Sequence, residues 1–334
     1  MVMQNKGGAQ IPGPLGIFPE NHGRQLPGPL GTTLWQKQGN TTAPATLVKA
    51  PKVTIMPLPI SGDDPKDVHA VLWPLFSKKG LSYDEVKQAP GIANCPVAAI
   101  LAALAFTSVG RSYIQGVLSE STGNVETDLS PLKSKAAIKA KTALANPPPG
   151  MKISSSRYFT VNLPKSTQEV SDVLYTDDGD RNSWSLLYLR DPSEQSIWAA
   201  IFEKALAVHL GSYENFDALN IKANDFWLKI TGASPGVIEM KADTPLSTII
   251  NAAKNSLRVP TIGASNADKK DIAVRPGAKD ADKEFDKVVT EFHGFSMLGL
   301  KGKMIQLYDP AQAKTILISP EDFRFSFKLI LFGK

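Results

Sequence analysis

The chain holds a single cysteine, Cys95, among 334 residues. One cysteine forms no internal disulfide, so no disulfide framework supports this fold. Nor does it build a cysteine zinc site, because the four histidines (His22, His69, His209, His293) show no ligand spacing. Long apolar runs are also missing. The longest, Pro96 to Val109, falls short of the roughly twenty residues that span a bilayer. The N-terminus, Met1-Val-Met-Gln-Asn-Lys-Gly-Gly8, lacks the apolar stretch of a signal peptide. A soluble protein is expected, cytoplasmic or exported without a Sec signal peptide, with no membrane partner. Basic blocks are absent too. The formal charge is +5, but lysines are interspersed with acids along most of the chain and no basic stripe with interleaved aromatics occurs. That excludes a nucleic-acid-binding surface and leaves a solvated one.

What is present divides the chain. Residues 1–50 are rich in Gly, Pro, Gln, Asn and Thr and hold a near-repeat, Ile11-Pro-Gly-Pro-Leu-Gly16 and Leu26-Pro-Gly-Pro-Leu-Gly31. Proline fixes φ and removes a donor, and glycine adds backbone entropy, so a flexible segment is expected. From Val53 the pattern turns globular. Lys66 to Lys79 reads as a helix, with Val68, Val71, Leu72 and Leu75 at helical spacing. A short helical turn at Tyr83 to Gln88 precedes the breaker Pro90-Gly91. Cys95 to Val109 is apolar on all sides, which predicts a buried helix, and Pro96 suits its first turn. A Lys- and Ala-rich surface helix is expected over 130–145. Ile197 to Leu210 forms another amphipathic helix. Strands are expected at Tyr158 to Leu163, Ser183 to Leu189, Phe226 to Ile230, Val288 to Leu300, Met304 to Tyr308 and Thr315 to Ile318. The charge-dense stretch Asn266 to Asp286 reads as a loop. Helices first and strands later make an α+β chain.

Two residues draw attention for chemistry. At the head of a helix, Cys95 faces unpaired N–H groups and the positive end of the dipole, which favour thiolate, the nucleophilic form. A small core residue capping a helix is the competing reading. His293 sits in Glu291-Phe-His-Gly-Phe-Ser-Met-Leu-Gly299, a strand with Gly294 beside the histidine, and Lys301-Gly-Lys303 makes a tight turn before Met304-Ile-Gln-Leu-Tyr-Asp-Pro310. A hairpin there brings His293 and Asp309 onto neighbouring strands. A cysteine nucleophile needs a base within reach and a third group to orient that base. Glu203 and Lys204, on the Ile197–Leu210 helix, read as a structural ion pair, and His209 as a surface or core residue. The acidic run Thr176-Asp-Asp-Gly-Asp-Arg-Asn182 does not fit an EF-hand loop, so a polar turn and no metal are expected.

Three stretches, in order, resemble the calpain family of cysteine proteases. Gln88-Ala-Pro-Gly-Ile-Ala-Asn-Cys-Pro96 and the Ala-rich run after it are similar to the family's nucleophile segment. Ile197-Trp-Ala-Ala-Ile-Phe-Glu-Lys-Ala205, continuing to Tyr213-Glu214, resembles its Trp, Glu-Lys-Ala and Tyr-Glu helix and is the most specific match. His293-Gly-Phe-Ser-Met-Leu-Gly299 resembles its histidine strand, and Pro320-Glu-Asp-Phe323 is similar to an element near the end of that core. The resemblance spans roughly Pro51 to Phe327. There are departures. Asn94 stands where calpains have Asp, Pro96 where they have Trp, and Asp309-Pro310-Ala311 where they have Asn-Pro-Trp. The last change predicts a His293–Asp309 bond open to water. Gln88 lies one residue farther from the cysteine than in the family.

The resemblance implies a papain-like fold. A helical subdomain over 51–214 carries the nucleophile, a β-rich subdomain over 215–334 carries the His and Asp, and the cleft lies between them. It implies a thiol endopeptidase acting on a protein or peptide substrate without a cofactor. Cys95, His293 and Asp309 would form the triad, and the Gln88 side-chain amide would join the Cys95 backbone N–H in stabilising the oxyanion. A catalytically inactive binding module on the same scaffold, or a thiol-dependent transglutaminase or deamidase, are the alternatives, because fold does not determine activity.

Overall fold

The apolar helix at the nucleophile is the centre of the molecule, and its composition explains why. In the computed structural model, which describes residues 53–59, 67–89, 94–129, 152–177, 185–218, 222–265 and 293–334, α1 runs Cys95–Phe106. Val97 to Ala105 are all buried. A helix without a polar face has to be packed on every side. It ends at Phe106, three residues before the expected Val109, and Thr107 follows. There the backbone turns extended and the Thr107 hydroxyl accepts from the Gly110 N–H at 3.1 Å, capping α2 (Ser108–Val117). The two helices are bent by 111°. Only glycine fits the corner, since a Cβ at Gly110 would lie 2.2 Å from the Leu104 carbonyl oxygen. No single helix among the described residues is long and apolar enough to cross a membrane.

On one side α1 packs against a six-stranded antiparallel sheet. Its strands are β8 (Gly236–Glu239), β9 (Thr261–Ser265), β10 (Gly294–Lys301), β11 (Met304–Asp309), β12 (Lys314–Ile318) and β13 (Phe327–Phe332), in the order β12-β11-β10-β9-β13-β8. Both faces of β10 are covered. Ser296 turns to the helix and donates to the Ala99 carbonyl at 2.7 Å. Phe295 and Met297 turn the other way, into a second core with Ile249 and Ala253 of α6 (Leu246–Asn255) and Phe323 of α7 (Pro320–Ser326). Alternation with period two thus buries the whole run Gly294–Leu298.

The first half is not only helical. It holds a sheet of order β1-β3-β4-β5, made of Val53–Ile55, Leu118–Asp128, Lys152–Leu163 and Ser166–Ser171. It also holds a small sheet β2-β6-β7, made of Asp67–Ala70, Val173–Asp177 and Ser185–Leu186. Helix α3 (Trp198–Leu210) packs beside β5 and ends at Gly211, whose φ of 96° is left-handed. The short α4 (Asn215–Ala218) follows.

Two elements differ from the sequence reading. Residues 67–70 are a strand and no helix follows it. Pro74 lacks the N–H that a helix needs, and the Arg157 guanidinium takes the carbonyls of Val71 and Trp73 (the latter at 2.6 Å). Leu72 is 78% exposed, so the apparent periodicity was fortuitous. Conversely, the expected strand at Phe226–Ile230 is helix α5 (Ala223–Thr231). Phe226, Trp227, Ile230 and Thr231 bury one helical face, and Gly232 closes it at φ 77°. The segment 1–50, the helix expected over 130–145, the loop 266–286 and residues 178–182 of the acidic turn lie outside the described residues.

Candidate active site

Cys95 opens α1, half-buried, with Pro96 in the first turn where a missing N–H breaks no helical bond. Across from it β10 begins at Gly294. A Cβ at that position would sit 3.1 Å from the Ala99 methyl and 3.1 Å from the Cys95 carbonyl oxygen. The glycine therefore lets the strand lie against the head of the helix, and His293 just before it reaches the thiol.

His293 is buried, and β9 holds its backbone. Its N–H donates to Ser265 Oγ at 2.9 Å, and its carbonyl accepts the Ser265 N–H at 2.9 Å. The ring has two partners. Nε2 meets Asp309 Oδ1 at 2.9 Å, and the imidazole is hydrogen bonded to Cys95, for which Nδ1 remains. Burial alone would lower the imidazole pKa. The hydrogen bonds to Asp309 and Cys95, together with their charges, outweigh it and lift the pKa to about 9. The protonated ring is the state this arrangement favours.

Asp309 ends β11 and is fully buried. Its Oδ1 also accepts the Ala311 N–H at 2.9 Å and the Gln312 N–H at 3.4 Å, which fixes the carboxylate before the ring meets it. The bond to His293 is thus closed to water, contrary to what the missing tryptophan suggested. The Phe295 ring stands edge-on to the imidazole, centroids 4.8 Å apart, and covers part of it. Gln88 is buried, and its backbone N–H donates to the Pro310 carbonyl at 2.9 Å. The Tyr308 hydroxyl donates to the Val86 carbonyl at 2.9 Å. These two bonds tie the segment leading to Cys95 onto the end of the strand that carries Asp309.

Glu203 and Lys204 do not pair with each other. Both are fully buried, but consecutive helical side chains point about 100° apart. Glu203 accepts the Leu189 N–H at 2.8 Å and the Asn94 side-chain amide. Burial pushes its carboxyl up to about 7, against those two hydrogen bonds. Lys204 donates to the Ser171 carbonyl at 3.0 Å, the Ser171 hydroxyl at 3.2 Å and the Val173 carbonyl at 2.7 Å. Burial lowers its pKa to about 7, which the nearby Asp172 charge only partly opposes. His209, half-buried, meets Ser166 Oγ through Nδ1 at 2.8 Å. The sequence reading missed the contact between Asn94 and Glu203. The available signal was an acid amid Ile201, Phe202 and Ala205, where only a satisfied carboxylate survives burial.

A search of the curated proteins finds no match. Residues 151–315 match the model of the calpain family cysteine protease. The matched span includes His293 and Asp309 and begins after Cys95. The mixture of helices and sheets is compatible with such a protease domain. The match over residues 151–315 supports a calpain-type catalytic core in this chain.

Proposed function

We propose that the chain is a thiol endopeptidase with Cys95 as nucleophile, His293 as acid and base, and Asp309 as the group that orients the ring. The observation that carries this reading is the relay of contacts from Asp309 Oδ1 through His293 to Cys95. The family match supports peptidase chemistry in general, and the contacts supply the roles. In this reading the substrate lies between the head of the helix that bears Cys95 and the start of the strand that follows His293, as a papain-like fold would have it.

The thiolate of Cys95 attacks a peptide carbonyl carbon, and the C=O electron pair moves onto oxygen. Gln88 and the Cys95 backbone N–H, at the head of the helix, stabilise that oxyanion. As the C–N bond breaks, the imidazolium gives its proton to the leaving amine and a thioester remains. Water then attacks the thioester, His293 takes its proton, and the acid product and the thiolate separate. Asp309 keeps Nε2–H directed at itself throughout, so Nδ1 serves the reacting atoms.

The test is hydrolysis of an unfolded protein substrate by the full chain. Wild type should cleave it, and a thiol-directed epoxide should block cleavage by labelling Cys95 once. Cleavage by Cys95→Ala at the wild-type rate, with folding matched, would refute the assignment. A wild type that takes the label but transfers an amine to glutamine side chains instead would turn the reading toward transglutamination, which uses the same thioester.

A further inference from the structure

Glu203 lies outside the proposed triad, yet its carboxylate is fully buried within an apolar stretch of α3. A helix that only packs has no need of an acid there, because a buried carboxylate costs stability unless it is hydrogen bonded. Its two partners show where it acts. One oxygen accepts the Leu189 N–H at 2.8 Å, which ties it to the chain just before α3. The other accepts the side-chain amide of Asn94. Asn94 is completely buried and directly precedes Cys95. Its carbonyl accepts the Ala98 N–H at 3.1 Å, so backbone and side chain are both fixed. Earlier on α3, the Trp198 indole N–H donates to Glu85 at 2.7 Å, and Glu85 closes the 3-10 turn that leads to Gln88. One helix thus holds the chain on both sides of the stretch joining Gln88 to Cys95.

We propose that Glu203 is a positioning residue for the thiol: its carboxylate fixes Asn94, and through Asn94 the Cys95 sulfur, against the His293 ring. This rests on the Cys95–His293 reading above. The contact is a hydrogen bond in a dry site, where such bonds are strong and directional. Small displacements of a reacting atom are costly even when the residue responsible touches no substrate.

The experiment measures the rate of Cys95 alkylation by iodoacetamide per folded molecule, beside the melting temperature, in the full chain. Glu203→Leu fills the volume and removes the acceptor, and its rate should fall about tenfold or more. Asn94→Ala should fall as far, and the double variant no further, since both break one contact. Glu203→Gln should stay near wild type. The Asn94 amide can turn over and offer Oδ1, which has no hydrogen-bond partner among the described residues, to the new amide. A purely structural Glu203 would lower the melting temperature of the Leu variant and leave its rate unchanged, which would overturn the proposal. So would a Gln variant as slow as the Leu variant. If Glu203→Leu does not fold, Asn94→Ala decides, and an unchanged rate there overturns it. A fast wild type with equally fast variants rejects the positioning role alone. A wild-type thiol no faster than free cysteine rejects the Cys95–His293 reading and this one with it.

Discussion

Two buried basic groups, one in each half of the molecule, end with pKa values shifted in opposite directions. His293 sits between Asp309 and Cys95, and its pKa rises to about 9. Lys204 sits among the Ser171 and Val173 carbonyls and the Ser171 hydroxyl, and its pKa falls to about 7. Burial disfavours charge in both. The difference lies in the partners. Asp309 and Cys95 both hydrogen bond the ring directly, and these contacts outweigh desolvation. The direct acceptors around Lys204 are neutral dipoles. Asp172, whose charge acts on Lys204, is already engaged by Arg157 Nε at 2.8 Å and by Ser155 Oγ at 2.5 Å. An interior can therefore hold a charge for chemistry only where it provides the countercharge itself.

That contrast can be broken at its strongest point first. Cys95→Ala or His293→Ala should lower turnover by about a thousandfold or more while the protein stays folded. Asp309 comes next. Asp309→Ala removes the countercharge and the acceptor, and should cost turnover about a hundredfold or more. Asp309→Asn keeps the acceptor for the ring and for Ala311 N–H, so a loss of about tenfold is expected. Because the anionic partner is gone, the alkaline limb of its rate profile should move to lower pH than in wild type. Equal, mild effects of Ala and Asn would leave Asp309 as a turn residue ahead of Pro310.

Stability against pH sharpens the comparison. His293 binds its proton more tightly folded than unfolded. Its contribution is full below its ordinary value of 6.5 and is lost as pH rises through about 9. Lys204 binds its proton less tightly folded. Its contribution is full above 10.5 and is lost as pH falls through about 7. Between those two folded values the slopes oppose each other. Lys204→Met should make stability fall more steeply with rising pH in that window, and His293→Ala should make it rise. Urea unfolding across the window measures both, and parallel curves for wild type and Lys204→Met would contradict the difference. Lys204→Met also strands two carbonyls, a cost of about 1–3 kcal/mol. The smallest effect is expected from deleting residues 1–50, whose sequence has no periodic apolar face. A large drop in melting temperature would show that the two Pro-Gly-Pro-Leu repeats dock on the core.

The elements that carry the site were legible because their signals are local. A helix apolar all round, with proline in its first turn, has one place to go, and α1 is there. The turn Lys301-Gly302-Lys303 set the β10–β11 pairing, in which Ser296 faces Tyr308. That register brings the residue before β10 to the residue that ends β11. What failed depended on distant partners. Residues 67–70 pair with β6, and the chain after them yields its carbonyls to Arg157, neither of which shows in their own spacing. Phe226 to Ile230 has the aromatic and β-branched residues of a strand, and tertiary burial of one helical face overrode them. Glu203 and Lys204 looked like a pair because they are adjacent. Helical geometry separates them, and each finds its partners on a different part of the chain.

The claim that Cys95 and His293 form an ion pair held by Asp309 is tested most directly by alkylation with iodoacetamide at acidic pH. One label per chain is expected, on Cys95, at a rate well above that of free cysteine. His293→Ala, still folded, should lose that advantage. A wild-type rate equal to that of free cysteine, or a fast rate that survives His293→Ala, would contradict it.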